Sequence, residues 1–197
     1  MTEWWTYRLS DFLMFSPAIY WRMVERMNRE LWPLPVVALA VGLVLLVTVA
    51  IRPSGAPRAV LVLLGLAWAW VGWAFHWQRY APINWAAQYL AAAFWVQAAL
   101  LAGAPLPRPG HRVPWAPAVR HVGLALALAG LLLYPLLPAV MGRPWAQAEV
   151  AGLAPEPTAL ATLGLLMGLQ PRHWRWLAVV PVLALAVGLA TGWAFMG

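Results

Sequence analysis

The sequence contains no cysteine, no lysine and few charged residues of any kind. Without cysteine, a disulfide framework, a thiol nucleophile and a cysteine-ligated metal site are all excluded. Charged residues occupy 10% of the 197 positions, whereas an ordinary soluble domain carries roughly 25%. This shortage excludes a disordered chain, a nucleic-acid-binding module and almost any ordinary cytosolic domain. The net charge of +7 comes from 13 arginines scattered along the chain, and the scatter does not predict a basic patch.

Apolar residues make up 63% of the chain and fall into six segments. The segments lie at about residues 34–51, 59–75, 85–102, 122–140, 158–169 and 176–196. Five of them run for 17 or more positions without a charged residue, as expected of transmembrane helices. Because the backbone must satisfy its own hydrogen bonds in hydrocarbon, continuous apolar runs favour helices over barrel strands. The sequence therefore predicts an all-α transmembrane bundle of about six spans.

The fifth segment is too short to cross a bilayer as a regular helix. Its 12 residues, from Thr158 to Leu169, would cover ~18 Å of a hydrocarbon core that is ~30 Å thick. Pro155 and Pro157 just before it favour an extended entry. We therefore expect irregular backbone over residues 145–154, buried in protein or beside a wet cavity. The alternatives are a locally thinned bilayer and a steeply terminated helix.

The residues before the first span form an amphipathic segment. Ser16 and Pro17 suit the N-cap and first turn of a helix. Its apolar residues share one helical face: Tyr20, Met23, Val24, Met27 and Leu31. Such a helix is expected to lie in the membrane interface, to pack against the protein's own loops, or both. The chain is thus predicted to divide into an N-terminal interfacial segment (1–33) and a six-span transmembrane domain (34–197).

The arginines indicate the orientation of the bundle only weakly. With six spans, the N-terminal segment, the loops at residues 76–84 and 141–157 and the C-terminus share one face. That face carries six arginines and all six acids, against seven arginines on the other face. When the amphipathic segment is set aside, the loop arginines count two against seven, and arginine-rich loops stay in the cytoplasm. We therefore expect both termini outside.

Polar residues on the N-terminal face suggest a site. Glu156 stands at the mouth of the short fifth helix, where the helix dipole favours a carboxylate. An ionisable group at membrane depth is a functional candidate. The predicted ligand or ion pocket has six members: His76, Arg79, Tyr80, Asn84, Arg143 and Glu156. The structural alternative is that Glu156 and Arg143 pin a loop, while His76 and Asn84 cap helix ends.

Tryptophan is in excess, with 15 residues. Most of them lie near the ends of the predicted spans, as in an interfacial aromatic belt. Trp70, Trp73 and Trp77 form a denser group beside His76, and we consider them candidates to line a site for an aromatic, cationic or lipid-like ligand. Packing between helices is the commoner explanation for such a group.

Familiar catalytic patterns do not fit this sequence. None of the three serines lies in a nucleophile elbow, and no pair of histidines has metal-ligand spacing. No two acids are expected to lie close together in the core, which argues against paired-carboxylate hydrolysis. No catalytic residue, metal ligand or cofactor is assigned, and enzyme activity is not predicted.

Short motifs are spread over nearly the whole chain. In the first half they are Asp11-Phe12, Phe15-Ser16-Pro17, Asn28-x-x-Leu31-Trp32-Pro33, Trp70-x-Gly72, Phe75-His76 and Ala81-Pro82-Ile83-Asn84. In the second half they are Tyr134-Pro135, Gly142-x-Pro144, Ala154-Pro155-x-Pro157-Thr158 and Gly164-Leu165-Leu166. Together they resemble a bacterial family of polytopic membrane proteins catalogued as a domain of unknown function. The resemblance implies a multi-span fold and no established activity. Together with the arginine count, it leads us to expect a multi-pass protein of the bacterial inner membrane with its termini on the periplasmic side.

From these features we expect an integral membrane protein, surrounded by lipid, that binds or passes a small solute or ion through the polar pocket. The alternative is a non-catalytic accessory or scaffold subunit of a larger membrane complex. Its tryptophan-rich faces would contact partner helices, copies of itself, lipids or a pigment. A membrane lipid enzyme is the least favoured function, and nucleic acid is not an expected partner.

Overall fold

The computed structural model describes residues 15–51, 58–104, 117–169, 171 and 173–195. Within these ranges the chain forms seven helices of 14 or more residues and no strand. They are α1 (Pro17–Glu30), α2 (Leu34–Ile51), α3 (Arg58–Tyr80), α4 (Ala87–Gly103), α5 (Pro117–Val140), α6 (Pro155–Leu169) and α7 (Trp174–Ala194). The all-α prediction is confirmed. The Asp11-Phe12 motif and the first 14 residues of the predicted N-terminal segment lie outside the described residues.

Four of the helices are long and apolar enough to cross a membrane: α2, α3, α5 and α7. The remaining apolar helices are shorter, with 17 residues in α4 and 15 in α6. These lengths correspond to ~25 Å and ~22 Å of helix, below the ~30 Å of a hydrocarbon core. The structure therefore supports a helical membrane protein with four long spanning candidates, and the predicted count of six spans is not confirmed.

The second predicted span extends further than its sequence pattern indicated. Residues 71–80 continue α3 as a π-helix, so His76 lies inside a helix and the loop predicted to begin at residue 76 is wrong. Hydropathy could not reveal this because Gln78 and Arg79 interrupt the apolar run. Stretches of π-helix are rare and are frequent at functional sites. The change turns Phe75, His76 and Tyr80 towards the protein interior.

The short helix α6 is enclosed by its neighbours, with most of its residues buried. Gly164 allows the closest approach to α5, because a Cβ at this position would collide with the backbone of Gly123 and Ala127. Small residues at such crossings let two helices pack backbone to backbone. α5 itself changes to π-helix and then to 3-10 helix before Pro138, where Pro135 and Pro138 cannot donate to the helical hydrogen-bond ladder.

The segment between α5 and α6 is irregular, as predicted. It contains one turn of 3-10 helix (Trp145–Gln147) and then a buried stretch from residue 149 to 154, except for a partly exposed Gly152. Gly152 has a φ of +88°, which glycine adopts at little cost, and its N–H donates to Thr158 Oγ1 at 2.7 Å. The predicted extended entry through both prolines is wrong, since α6 begins at Pro155. Proline suits a first helical turn because the missing N–H would be unpaired there anyway.

Helix α1 packs against the protein's own loops, which is one of its two predicted positions. Tyr20, Val24 and Met27 are buried, and Asn28 Nδ2 donates to the carbonyls of Ala146 and Ala148 at 2.9 and 2.7 Å. Its location in a membrane interface stays a prediction.

The two ends of the bundle differ in the residues that close them. At one end, the Phe195 ring after α7 lies 5.4 Å from Tyr20, so α1, the irregular segment and the end of α7 meet. At the other end, Arg58 Nη2 donates to Ala102 O of α4 at 3.2 Å, and Arg120 Nη2 donates to Ala50 O of α2. Arginines placed there satisfy the free carbonyls at helix C-termini.

Candidate functional site

A small internal cavity of about 30 Å³ lies where α1, α3, α6 and α7 meet. Its polar lining consists of Tyr20, His76, Tyr80, Glu156 and Thr191. A void of this size has room for about two water molecules. Three of the six residues predicted to form the pocket, His76, Tyr80 and Glu156, are therefore brought together.

Glu156 reaches the cavity from the first turn of α6. Its carboxylate lies against Gly188 of α7, because a Cβ at position 188 would overlap it. Atom Oε2 is enclosed and has no hydrogen-bond partner among the described residues. Glu156 lies outside the four long apolar helices. Burial, together with the nearby Glu149 carboxylate, raises the pKa of Glu156 to about 8.

Glu149 is a second buried acid that sequence reasoning missed. It lies on the irregular segment with 7% of its surface exposed, and its Oε1 accepts a hydrogen bond from the Tyr20 hydroxyl at 2.7 Å. Burial raises the pKa of Glu149, while the Tyr20 hydrogen bond and the Arg143 charge act in the opposite direction.

The two acids interact electrostatically, so the expectation that no two acids lie close together in the core is wrong. The cause is the fold of residues 149–156, which returns on itself instead of extending through the prolines. Two carboxyls that repel each other in a buried site cannot both ionise easily, so they titrate as a coupled pair. We refer to Glu149 and Glu156 as the acid pair.

His76 is almost wholly enclosed beside the acid pair. It has 2% of its surface exposed, and its ring lies 4.5 Å from that of Phe94. Neither ring nitrogen has a hydrogen-bond partner in the described part of the chain. Buried polar groups are nearly always paired, so each ring nitrogen marks a position where a water molecule could bond, one nitrogen donating and the other accepting.

The other three predicted pocket residues lie outside the cavity. The Arg143 guanidinium stacks 3.4 Å from the Trp21 ring centre and acts on Glu149 through its charge. Arg79 points away, donating to Ala74 O at 2.8 Å and to Glu30 Oε2 at 3.1 Å. Asn84 Oδ1 accepts the Ala86 N–H at 3.1 Å, which is the capping role considered as its alternative.

The three candidate tryptophans do not line the cavity either. Trp73 and Trp77 are 43% and 48% exposed, and Trp77 packs on Trp95 with ring centres 5.8 Å apart. Trp70 lines a separate apolar groove of about 340 Å³ between α2 and α3. The aromatic lining comes instead from Tyr20, Phe75 and Tyr80.

Tyr20, Glu149, Gly188 and Thr191 belong to the site and were not predicted. Tyr20 was assigned to the apolar face of α1, where its hydroxyl carries no sequence signal. Glu149 stands in a stretch without helical periodicity. Among the described residues, no group of three or more His, Asp or Glu could hold a metal ion.

The fold and this site define a class: a helical membrane protein with an acid pair enclosed at one end of the bundle. The model of a family of unknown function (DUF6064) matches residues 17–196, and the chain belongs to this family. The resemblance found in the motifs is thereby confirmed. Searches of curated proteins and of solved structures gave no match.

Proposed function

We propose that the protein binds a small cation, in the simplest case a proton, at the acid pair and passes it across the membrane. The observation that carries the proposal is the cavity at Glu156, whose enclosed Oε2 lacks a hydrogen-bond partner among the described residues. A buried carboxyl with a raised pKa near 8 can take up and release a proton near neutral pH.

The size and charge of the site favour a proton or a small ion over a larger solute. The cavity of about 30 Å³ admits water but no organic molecule. Its lining contains one acid and no arginine among the described residues. Tyr20 lines the cavity and donates its hydroxyl to Glu149, so one hydrogen bond joins the cavity lining to the second acid.

A second function rests on α2. Only Leu45, Leu46 and Val49 of its 18 residues are buried, although α2 is a spanning candidate. An apolar helix with so few buried residues could pack against a helix of a partner protein. The alternative function is therefore that of an accessory subunit in a larger membrane complex. Co-purification with partners at fixed stoichiometry in mild detergent would support it.

Proteoliposomes containing the pure protein test the transport proposal. A potassium diffusion potential is imposed with valinomycin, and internal pH is followed with pyranine. We expect proton uptake above that of protein-free vesicles, lowered at least tenfold by Glu156→Gln. The matched control is Glu25→Gln on α1, whose carboxylate pairs with Arg29 and lies outside the cavity. Equal proton uptake by the wild type and Glu156→Gln, or no proton uptake above that of protein-free vesicles, would exclude the proposal.

A further inference from the structure

A second cavity lies on the outer surface, between α1 and the end of α3. It is an open groove of about 510 Å³, and we call it the arginine groove. Its charged residues are Arg22, Arg26, Glu30 and Arg79, and its apolar residues include Ile19 and Ile83. The arginines are scattered in the sequence, which did not predict a basic patch, but the packing of α1 against α3 assembles three of them.

The groove carries an excess of positive charge. Glu30 bonds to both Arg26, at 2.6 Å, and Arg79, at 3.1 Å, so a single carboxylate is shared by two guanidinium groups. Arg22 forms no ion pair within the described ranges. Three positive groups and one negative group leave a net charge of +2.

Arg79 is held rigidly at the base of the groove. Its side chain is 19% exposed, and it also donates to Ala74 O. An anion entering the groove would therefore meet a guanidinium whose conformational entropy has already been lost. Preorganisation of this kind raises affinity.

The apolar side chains select among anions. Ile19 is 44% exposed beside Arg22, and Ile83 forms part of the opposite wall. A free phosphate would leave these side chains in contact with water, whereas a molecule with a phosphate and an acyl chain would cover them. The groove also lies at the end of α3, a spanning candidate, which is the depth at which lipid headgroups are found.

We propose that the arginine groove binds the headgroup phosphate of an anionic phospholipid, with the first part of an acyl chain against Ile19 and Ile83. Guanidinium groups bind phosphate oxygens in pairs and so supply both charge and geometry. The proposal does not depend on the acid pair or on any flux, because none of the groove residues lines the inner cavity.

Thermal unfolding of the whole protein in neutral detergent micelles tests this proposal. The probes are a short-chain phosphatidylglycerol, a phosphatidylcholine of the same chain length, and inorganic phosphate. We expect phosphatidylglycerol to raise the unfolding temperature in a saturable way, and the other two probes to have no such effect. Equal stabilisation by phosphatidylcholine or by inorganic phosphate would overturn the assignment to an anionic lipid.

Substitutions of basic and acidic residues on α1 should change the affinity for phosphatidylglycerol in opposite directions. Arg22→Gln and Arg26→Gln should each weaken phosphatidylglycerol binding roughly fivefold, and Glu30→Gln should strengthen it. The matched control is Arg29→Gln, since Arg29 lies on the same helix, is paired with Glu25 and does not line the groove. A loss with Arg29→Gln as large as that with Arg22→Gln would show general charge attraction and overturn the proposal.

Discussion

Gly188 provides the space that the Glu156 side chain occupies. A methyl group at this position would overlap the carboxylate, and excess volume in a packed interior costs about 1–3 kcal/mol. We therefore expect Gly188→Ala to lower the unfolding temperature in detergent and to impair proton uptake. Adding Glu156→Asp, which shortens the side chain by one methylene, should recover part of the stability.

The same helix offers a control for that substitution. A methyl group added at Gly192 would have open space around it, with no described atom within 4 Å. Gly192→Ala should therefore stabilise α7 slightly, by about 0.5–1 kcal/mol. If both alanine variants lost stability equally, the effect at position 188 would not come from Glu156.

The acid pair makes stability depend on pH in a defined direction. Burial raises the pKa of both carboxyls above their ordinary value of 4.5, to about 8 for Glu156. Between these pH values the folded protein binds more protons than the unfolded chain, so stability falls as pH rises. The slope cannot exceed about 1.4 kcal/mol per pH unit for each proton, and it should level off below pH 4.5 and above the folded pKa.

Unfolding temperatures measured from pH 4 to pH 9 check this expectation. Glu156→Gln should reduce the slope. Glu30→Gln should leave it unchanged, because Arg26 and Arg79 lower the pKa of Glu30, which places its contribution below pH 4.5. Two results would contradict the assignment of Glu156 as a buried acid with a raised pKa. One is an unfolding temperature that rises with pH across this window, and the other is a pH dependence that is undiminished in Glu156→Gln.

At the scale of the helices, a side chain of α4 supplies a hydrogen bond that a proline removes from α7. Pro181 lies inside α7 and cannot donate to the carbonyl of Leu177, four residues earlier. The buried Gln97 of α4 donates its Nε2 to this carbonyl at 2.8 Å. Gln97→Leu should leave the carbonyl buried without a partner, which costs about 1–3 kcal/mol.

A double-mutant cycle separates this bond from simple packing. Pro181→Ala restores an N–H for the Leu177 carbonyl, so the loss caused by Gln97→Leu should be much smaller in the Pro181→Ala background. The measurement is the free energy of unfolding of the four proteins in detergent. Additive effects of the two substitutions would mean that Gln97 does not act through Leu177.

Hydropathy located the helices well because their lateral surfaces are apolar. The first span was predicted at residues 34–51, and α2 has these bounds. Hydropathy failed where tertiary packing decides the backbone. In the extension of α3, Arg79 bonds to Ala74 and Glu30, and at the start of α6 the Gly152 N–H bonds to Thr158. Hydropathy carries no information on such contacts.

The candidate site was predictable only where a polar residue interrupts an apolar stretch. His76 and Glu156 were found in this way, and both line the cavity. Glu149 was missed because its burial results from contacts of α1 with the irregular segment, 118 to 129 residues away in sequence. The candidate tryptophans lie elsewhere, since Trp73 and Trp77 are partly exposed on the outer surface, and their role in binding a ligand stays a prediction.

At the scale of the whole molecule, charge is divided between the two ends of the bundle. The described acids all lie at the end formed by α1 and the irregular segment, where Tyr20 meets both Glu149 and Phe195. Arg58 and Arg120 cap helices at the opposite end. Arginines that are bonded to carbonyls still carry their charge, and the expectation that this end faces the cytoplasm stays a prediction from the loop arginines.

The absence of native cysteine makes this orientation directly testable. Single cysteines are introduced at the exposed positions Ser16 and Met141 at one end, and Arg58 and His173 at the other. In intact spheroplasts, an impermeant maleimide should label Ser16→Cys and Met141→Cys, whereas Arg58→Cys and His173→Cys should react only after the membrane is opened. The reverse pattern would keep the bundle and invert its orientation. Labelling of all four from one side would mean that the two ends are not separated by a membrane, and the fold would then have to be explained without one.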